Sequence, residues 1–139
     1  MKDKVIVYTD GGCIPNPGKG GWGALLMCNN REKEIFGGVD GTTNNRMELM
    51  AAIQALNTLT RPCDVTIYSD SKYVVDGITK WYPNWIKNGR TNFVNPDLWH
   101  ALAAAAKPHN VTWQWIKGHS GIPGNERADE LAMRAIEYC

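Results

Sequence analysis

The order of strand-like and helix-like segments predicts an α/β fold with a mixed five-stranded sheet and helices on both faces. Strand-like runs joined by turns fill residues 4–38, which indicates an antiparallel meander. Strand and helix signals alternate afterwards, which indicates β-α-β crossovers. The chain of 139 residues suits one domain spanning 1–139, since domains most often have about 100–150 residues.

The first half of the chain contains three predicted strands and one helix. A β-branched run at residues 4–9 ends at an aspartate and is followed by a turn-rich stretch at 11–21. Two further strands are predicted at 23–28 and 33–38. Asn44 or Asn45 is predicted to cap a helix that runs to about residue 59.

The second half adds two strands and three helices. A fourth strand is predicted at residues 65–69 and a helix at 71–79, followed by a tryptophan-rich polar stretch to about residue 96. The remaining elements are a helix at 97–106, a strand at 111–117, a glycine-rich loop and a helix at 125–138. The helical crossovers predict that the first, fourth and fifth strands lie parallel and adjacent.

Composition excludes several classes of protein. The net charge of +1 gives no indication of a partner. No apolar run approaches the roughly 18 residues that a membrane span needs, and the first residues lack a signal-peptide core. The cysteines are scattered without a C-x-x-C pair, so reduced thiols in the cytoplasm are expected, with a disulfide left open; they are Cys13, Cys28, Cys63 and Cys139.

Four acidic residues are candidates for one site. The runs VIVYTDGG and VTIYSDSK end in Asp10 and Asp70, whose carboxylates would emerge side by side if the strands are parallel neighbours about 4.8 Å apart. Glu48 would lie at the core-facing edge of the first turn of its helix, and Asp129 borders the apolar stripe of the last helix. Each alone is as well explained as a turn, cap or surface residue.

If the four acids lie together, the repulsion between their negative charges must be compensated. Two unit charges 5 Å apart repel by roughly 3 kcal/mol at an effective dielectric near 20, which is a large part of a domain stability of about 5–15 kcal/mol. Protons or a cation must offset this repulsion. Oxygen ligands favour Mg²⁺ or Mn²⁺, and two such ions about 4 Å apart suit displacement at phosphorus.

Four blocks of sequence resemble bacterial type 1 ribonuclease H over nearly the whole chain: TDGGCIPNPGKGGWGALL, TTNNRMELMAAIQAL, YSDSKYVVDGI and WIKGHSGIPGNERADELA. The resemblance implies the ribonuclease H-like fold and a monomeric endonuclease that hydrolyses the RNA strand of RNA–DNA hybrids. The products would carry a 5′-phosphate and a 3′-hydroxyl. Two Mg²⁺ ions would be the cofactors, with Mn²⁺ as a substitute.

The resemblance also implies catalytic roles. Asp10 would bridge both ions, Glu48 and Asp70 would hold the ion on the leaving-group side, and Asp129 the ion that carries the nucleophilic water. Glu48 would also contact a ribose 2′-hydroxyl. His119, in the loop KGHSGIPG, would assist proton transfer or product release.

Small and amide residues are candidates for contact with the shallow minor groove of the hybrid. Backbone at Gly11, Gly12 and Cys13 can approach the RNA, and amides can donate and accept hydrogen bonds; the amide and hydroxyl candidates are Asn16, Thr43, Asn44 and Asn45. The resemblance assigns a DNA phosphate to Asn16 and Thr43. It also favours Trp81 over Trp85 as the aromatic contact in the basic stretch.

One stretch and two single positions depart from the family pattern. The basic stretch is shorter, with TNFVNP where lysines are expected, Gly41 replaces an arginine, and Lys72 replaces a polar amide. These differences bear on affinity for the hybrid and on its salt dependence, because they change charges that would face phosphates.

Two other functions compete with hybrid cleavage. A non-catalytic module that binds hybrids or double-stranded RNA would not need all four acids, and another nuclease of the same fold would not need the TTNNRMEL block. A cysteine nucleophile, Cys13 or Cys63 with His119, is formally open. The G-x-G-x-x-G match at residues 18–23 precedes a strand, which argues against a dinucleotide site.

Overall fold

The computed structural model describes residues 2–137, which form one mixed five-stranded sheet in the order β3-β2-β1-β4-β5. β1 pairs antiparallel with β2, and β2 with β3, whereas β1–β4 and β4–β5 are parallel. The strands are β1 Asp3–Ile14, β2 Gly18–Cys28, β3 Arg31–Thr42, β4 Cys63–Ser69 and β5 Asn110–Trp115. The predicted sheet, including its parallel first, fourth and fifth strands, is confirmed.

Helices cover both faces of this sheet, as predicted. They are α1 Asn44–Thr58, α2 Lys72–Asp76, α3 Tyr82–Lys87, α4 Pro96–Ala106 and α5 Pro123–Glu137. A π-helical turn, Gly77–Trp81, joins α2 to α3. No helix within residues 2–137 is long and apolar enough to cross a membrane.

The first hairpin is longer than predicted. The stretch at 11–21 is mostly strand, because the ladder between β1 and β2 continues from Asp10–Gly23 to Ile14–Lys19 and leaves only residues 15–17 as the turn. β3 is extended in the same way by its pairing with β2. Asp10 therefore lies inside β1 rather than at its end.

Several helix boundaries also differ from the prediction. Thr43, not Asn44 or Asn45, caps α1, since its hydroxyl accepts the backbone N–H of Arg46 at 3.2 Å. The tryptophan-rich stretch is largely helical through the π turn and α3. α5 begins at Pro123, whose fixed φ suits a first helical turn, and the predicted end at residue 138 lies outside the described residues.

The main core lies between the sheet and the helices α1 and α4. Leu49, Ile53 and Leu56 recur at helical spacing on α1 and are buried against Val7 of β1. On the opposite face, α5 packs across β1, β2 and β3. This arrangement of helices on both faces of the sheet fixes α1 and α5 relative to the central strands β1 and β4. It therefore also fixes the side chains that the two helices direct toward those strands.

Candidate active site

Asp10 and Asp70 lie next to each other across the central parallel pair of strands. The pairing of β1 with β4 ends at Thr9 opposite Ser69, and each aspartate is the next residue. Thr9 and Ser69 are each 1% exposed, so the two strands are firmly buried up to the point where the carboxylates emerge. The predicted juxtaposition of these two acids is confirmed.

Glu48 reaches the same point from the first turn of α1. The helix begins so close to β1 that a side chain on Gly11 would place its Cβ 2.6 Å from the backbone nitrogen of Glu48. Glycine at this position therefore permits the close approach of strand and helix. The approach brings the carboxyl group of Glu48 beside that of Asp10.

These three acids form a compact oxygen cluster. One carboxylate oxygen from each of Asp10, Glu48 and Asp70 lies within 4.8 Å of the others. Asp10 is only 7% exposed, and its Oδ1 accepts the N–H of Gly11 at 2.9 Å. Glu48 Oε1 is enclosed without a hydrogen-bond partner among residues 2–137, so it is an unfilled acceptor for a donor or a cation.

Burial and mutual repulsion change the protonation of the cluster. Burial, followed by the charge of Asp70, raises the pKa of Asp10 to about 8, against the opposing N–H of Gly11. Burial, followed by the charges of Asp10 and Asp70, raises the pKa of Glu48 well above its usual range. The metal-free cluster therefore retains protons at neutral pH, and a divalent cation would replace them.

Asp129 lies beside this trio but is not a member of it. It projects from α5 close enough to Asp10 to contribute to the raised pKa of that residue. It is half-buried, so it is more open to solvent than Asp10. The four acids chosen from the sequence thus meet at one place, with three in direct reach of one ion.

The loop between β5 and α5 passes over the cluster. A side chain on Gly118 would place its Cβ 2.6 Å from Asp70 Oδ2, so the loop backbone contacts this carboxylate closely. His119 follows in the left-handed region, at φ 57°, and is exposed. The histidine is therefore at the rim of the site and accessible from solvent.

The candidates for substrate contact cluster beside the acids. The side chain of Asn16 accepts the backbone N–H of Asn44 at 3.2 Å, which joins the turn between β1 and β2 to the start of α1. The exposed Asn45 and the cap Thr43 lie at this junction. Cys13 is buried, and its thiol donates to backbone carbonyls, so the thiol is not free to act on a ligand.

The two tryptophans of the basic stretch have different surroundings. Trp85 stacks on Phe93 with ring centroids 4.5 Å apart and packs against the core. Trp81, in the π turn, is 39% exposed. The interpretation that one of the two is core and the other available for contact agrees with this arrangement.

Sequence reasoning missed Trp115 as a neighbour of the site. Alternation along its strand groups it with Val111 and Trp113, which contact the core. Its indole nitrogen instead donates to the backbone carbonyl of Asp70 at 3.0 Å. No local pattern distinguishes such a tryptophan from a core residue, because the contact depends on where two distant strands end.

The fold and the carboxylate cluster define a class of protein: an α/β enzyme domain whose buried acids suit divalent cations. The family profile described as RNase H matches residues 2–137. The chain is 59% identical over 138 residues to the ribonuclease H of Alcanivorax borkumensis, covering 96% of this chain and 91% of that one. The ribonuclease H of Francisella tularensis subsp. novicida is 56% identical over 140 residues, covering 97% and 92%.

Solved structures agree with these relatives. LC9-RNase H1, a type 1 RNase H with the type 2 active-site motif, superimposes with a TM-score of 0.92 at 30% identity, covering 99% of this chain and 74% of that one. LC11-RNase H1, solved in complex with an RNA/DNA hybrid, gives a TM-score of 0.77 at 25% identity, covering 96% and 97%. The chain belongs to the ribonuclease H family, and the resemblance stated from its sequence blocks is confirmed.

Proposed function

We propose that the protein is an endonuclease that hydrolyses the RNA strand of RNA–DNA hybrids and leaves 5′-phosphate and 3′-hydroxyl ends. The observation that carries this proposal is the oxygen cluster of Asp10, Glu48 and Asp70, within 4.8 Å of one another, in a chain of the ribonuclease H family. The binding of an RNA/DNA hybrid by LC11-RNase H1 supports the choice of substrate.

The cofactors proposed are two Mg²⁺ ions, with Mn²⁺ as a substitute. Asp10, Glu48, Asp70 and Asp129 would hold them, since these oxygens match the ligands of hard divalent cations and Glu48 Oε1 has an unused lone pair. Bound there, such ions would supply activation of a water and stabilisation of the leaving oxygen for in-line displacement at phosphorus.

The chain's own residues are proposed to orient this centre, to position water and to move protons. The N–H of Gly11 holds Oδ1 of Asp10 and so orients this carboxylate. Asp129 is proposed to position the attacking water from α5, and Glu48 to accept a hydrogen bond from a ribose 2′-hydroxyl. His119, exposed at the rim, is proposed to move protons or to assist product release.

The hybrid is proposed to lie across the junction of β1, the 15–17 turn and the start of α1. Backbone at Gly11, Gly12 and Cys13 would follow the RNA strand. Side chains at the junction would bind the two backbones and the minor-groove edges, namely Asn16, Thr43, Asn44 and Asn45. Trp81 would contact a sugar of the hybrid with its exposed ring.

We also propose that the enzyme acts as a monomer in the cytoplasm. Cys13, Cys28 and Cys63 are free thiols, which suits a reducing compartment, and Cys139 lies outside the described residues.

Substitution of the central acids tests the proposal. We expect Asp10→Asn and Asp70→Asn to reduce cleavage of an end-labelled hybrid in Mg²⁺ by at least about a thousandfold, because residues that act as one catalytic unit are individually indispensable. Asp64→Asn is the matched control, since Asp64 lies at the other end of β4 and keeps its acceptor for Asn110. Near-normal cleavage by Asp10→Asn would overturn the assignment.

A further inference from the structure

Trp115 is an exposed tryptophan that contacts the backbone of a proposed metal ligand. It is the last residue of β5 and remains 43% exposed, whereas Trp113 on the same strand packs against the core. Its Nε1 donates to the carbonyl oxygen of Asp70 at 3.0 Å. Trp115 is therefore outside the core cluster that holds Trp113.

The contact completes a set of restraints on both peptide planes that flank the Cα of Asp70. The preceding plane is held by its carbonyl, since Ser69 O accepts the N–H of Ile116 at 2.9 Å. The following plane is held twice: Asp70 O accepts from Trp115, and the N–H of Ser71 donates to Ser69 Oγ at 3.1 Å. Fixing both planes fixes φ and ψ of Asp70, and therefore the direction of its Cα–Cβ bond.

The ring of Trp115 is also held by a neighbouring cation. The ammonium group of Lys72 lies 4.6 Å from its ring centroid, a distance at which a cation is attracted to an aromatic face. Gly118 meanwhile lies against Asp70 Oδ2. The carboxylate is thus limited by the loop on one side and oriented by its restrained backbone toward Asp10 and Glu48.

We propose that Trp115 is a positioning residue: its indole N–H sets the backbone of Asp70 so that the carboxylate meets divalent cations with Asp10 and Glu48. The proposal rests on the metal-dependent function proposed above. Groups that orient a metal ligand without touching the metal often change affinity by about 10–100-fold. A solvent-exposed hydrogen bond to backbone should lie at or just below the lower end of that range.

The test compares two variants that separate the ring from its donor. Trp115→Phe retains an aromatic ring over Lys72 but removes the N–H, whereas Trp115→Gln removes the ring and retains a donor. Binding of Mn²⁺ to the protein without substrate is measured by isothermal titration calorimetry, together with kcat and KM for a hybrid as Mg²⁺ is varied.

We expect Trp115→Phe to raise the Kd for Mn²⁺ by about five- to tenfold. Its cleavage should fall at limiting Mg²⁺ and recover at saturating Mg²⁺, with KM for the hybrid unchanged. Trp115→Gln should recover part of the lost affinity. Trp113→Phe is the control, since Trp113 packs against the core from the same strand and its replacement should lower thermal stability without changing the Kd.

The outcomes are distinct. Unchanged Mn²⁺ affinity in Trp115→Phe overturns the positioning role, as does an equal loss in the Phe and Gln variants. If the wild-type protein takes up no divalent cation at all, the proposed function fails with it. Because Trp115 is exposed, the melting temperature of either variant should stay close to that of the wild type, and this is measured first.

Discussion

Asp10 illustrates how single residues control both stability and chemistry at this site. Burial at 7% exposure removes water from its carboxylate, and two further acids lie within reach of it. The protonated form is therefore favoured in the folded, metal-free protein, and the pKa is raised to about 8. The same features that destabilise the charged form without a cation make the site a strong ligand set with one.

The raised pKa of Asp10 predicts how stability of the metal-free protein depends on pH. An unfolded aspartate titrates near 3.9, so the native state binds more protons than the unfolded state between about pH 4 and pH 8. The stabilisation from this group is complete below about pH 4 and is lost as the pH rises through about 8. An asparagine at position 10 has no titratable carboxyl group, so the stability of Asp10→Asn does not fall in this pH range for that reason.

We expect Asp10→Asn in EDTA to be more stable than the wild type by up to about 5 kcal/mol at pH 8, since the pKa of Asp10 is raised by about four units and each unit corresponds to about 1.4 kcal/mol. The difference should shrink toward pH 4. Urea unfolding at a series of pH values measures it, with Asp64→Asn as the control. A variant less stable than the wild type at pH 8 contradicts the burial of a charged, uncompensated carboxylate.

Local sequence patterns predicted the positions of the acids but not the tertiary contacts made to them. Asp10 and Asp70 follow hydrophobic runs of the same form, so their placement needed only strand signals and parallel pairing. The contact of Trp115 with Asp70 depends on the register of β4 and β5, which no short window encodes. The cap of α1 lies one or two residues before the predicted Asn44 or Asn45, because Thr43, Asn44 and Asn45 are all good N-caps.

At the scale of elements, the helical run from α2 through the π turn to α3 depends on one tightly packed glycine. Gly77 begins the π turn with ordinary helical φ and ψ, so its backbone would accept alanine. A Cβ there would, however, lie 2.6 Å from Cζ2 of Trp99, which is 0% exposed. The ring is enclosed by neighbours and cannot move aside without disturbing the core.

We expect Gly77→Ala to destabilise the protein by at least about 1 kcal/mol. Helix propensity favours alanine by roughly 1 kcal/mol, but overpacking typically costs about 1–3 kcal/mol and the overlap with Trp99 is severe. Chemical unfolding measures the change. Gly12→Ala is the matched control, since the nearest atom to its added Cβ is 4.0 Å away. If Gly77→Ala were as stable as the wild type or more stable, the core around Trp99 would have to rearrange to accommodate the added methyl group.

The tryptophan-rich stretch shows why some elements could not be predicted. Its polar and aromatic residues have no clean helical period, because it is helical only in short pieces, the π turn and α3. Tertiary contacts stabilise it instead: Trp85 stacks on Phe93, and Tyr82 contacts both Phe93 and His100. Such contacts override weak local preference.

At the scale of the whole molecule, topology brings distant acids together. Parallel pairing puts residues 10 and 70 at the same edge of the sheet, and helices on opposite faces add Glu48 and Asp129. The alternation of strands and helices predicted this arrangement because β-α-β crossovers have few topological solutions. A net charge of +1 provides no general attraction for nucleic acid, so binding must depend on local groups.

One measurement tests the central claim most directly: cleavage of end-labelled strands by the wild-type protein, in Mg²⁺ and in EDTA. The panel contains an RNA–DNA hybrid, double-stranded RNA, double-stranded DNA, single strands, and a DNA duplex with one ribonucleotide. We expect cleavage of the RNA strand of the hybrid alone, only with Mg²⁺, because the proposed groove residues span more than one sugar. Equal cleavage in EDTA, or an intact hybrid in Mg²⁺, would contradict metal-dependent hydrolysis at Asp10, Glu48 and Asp70.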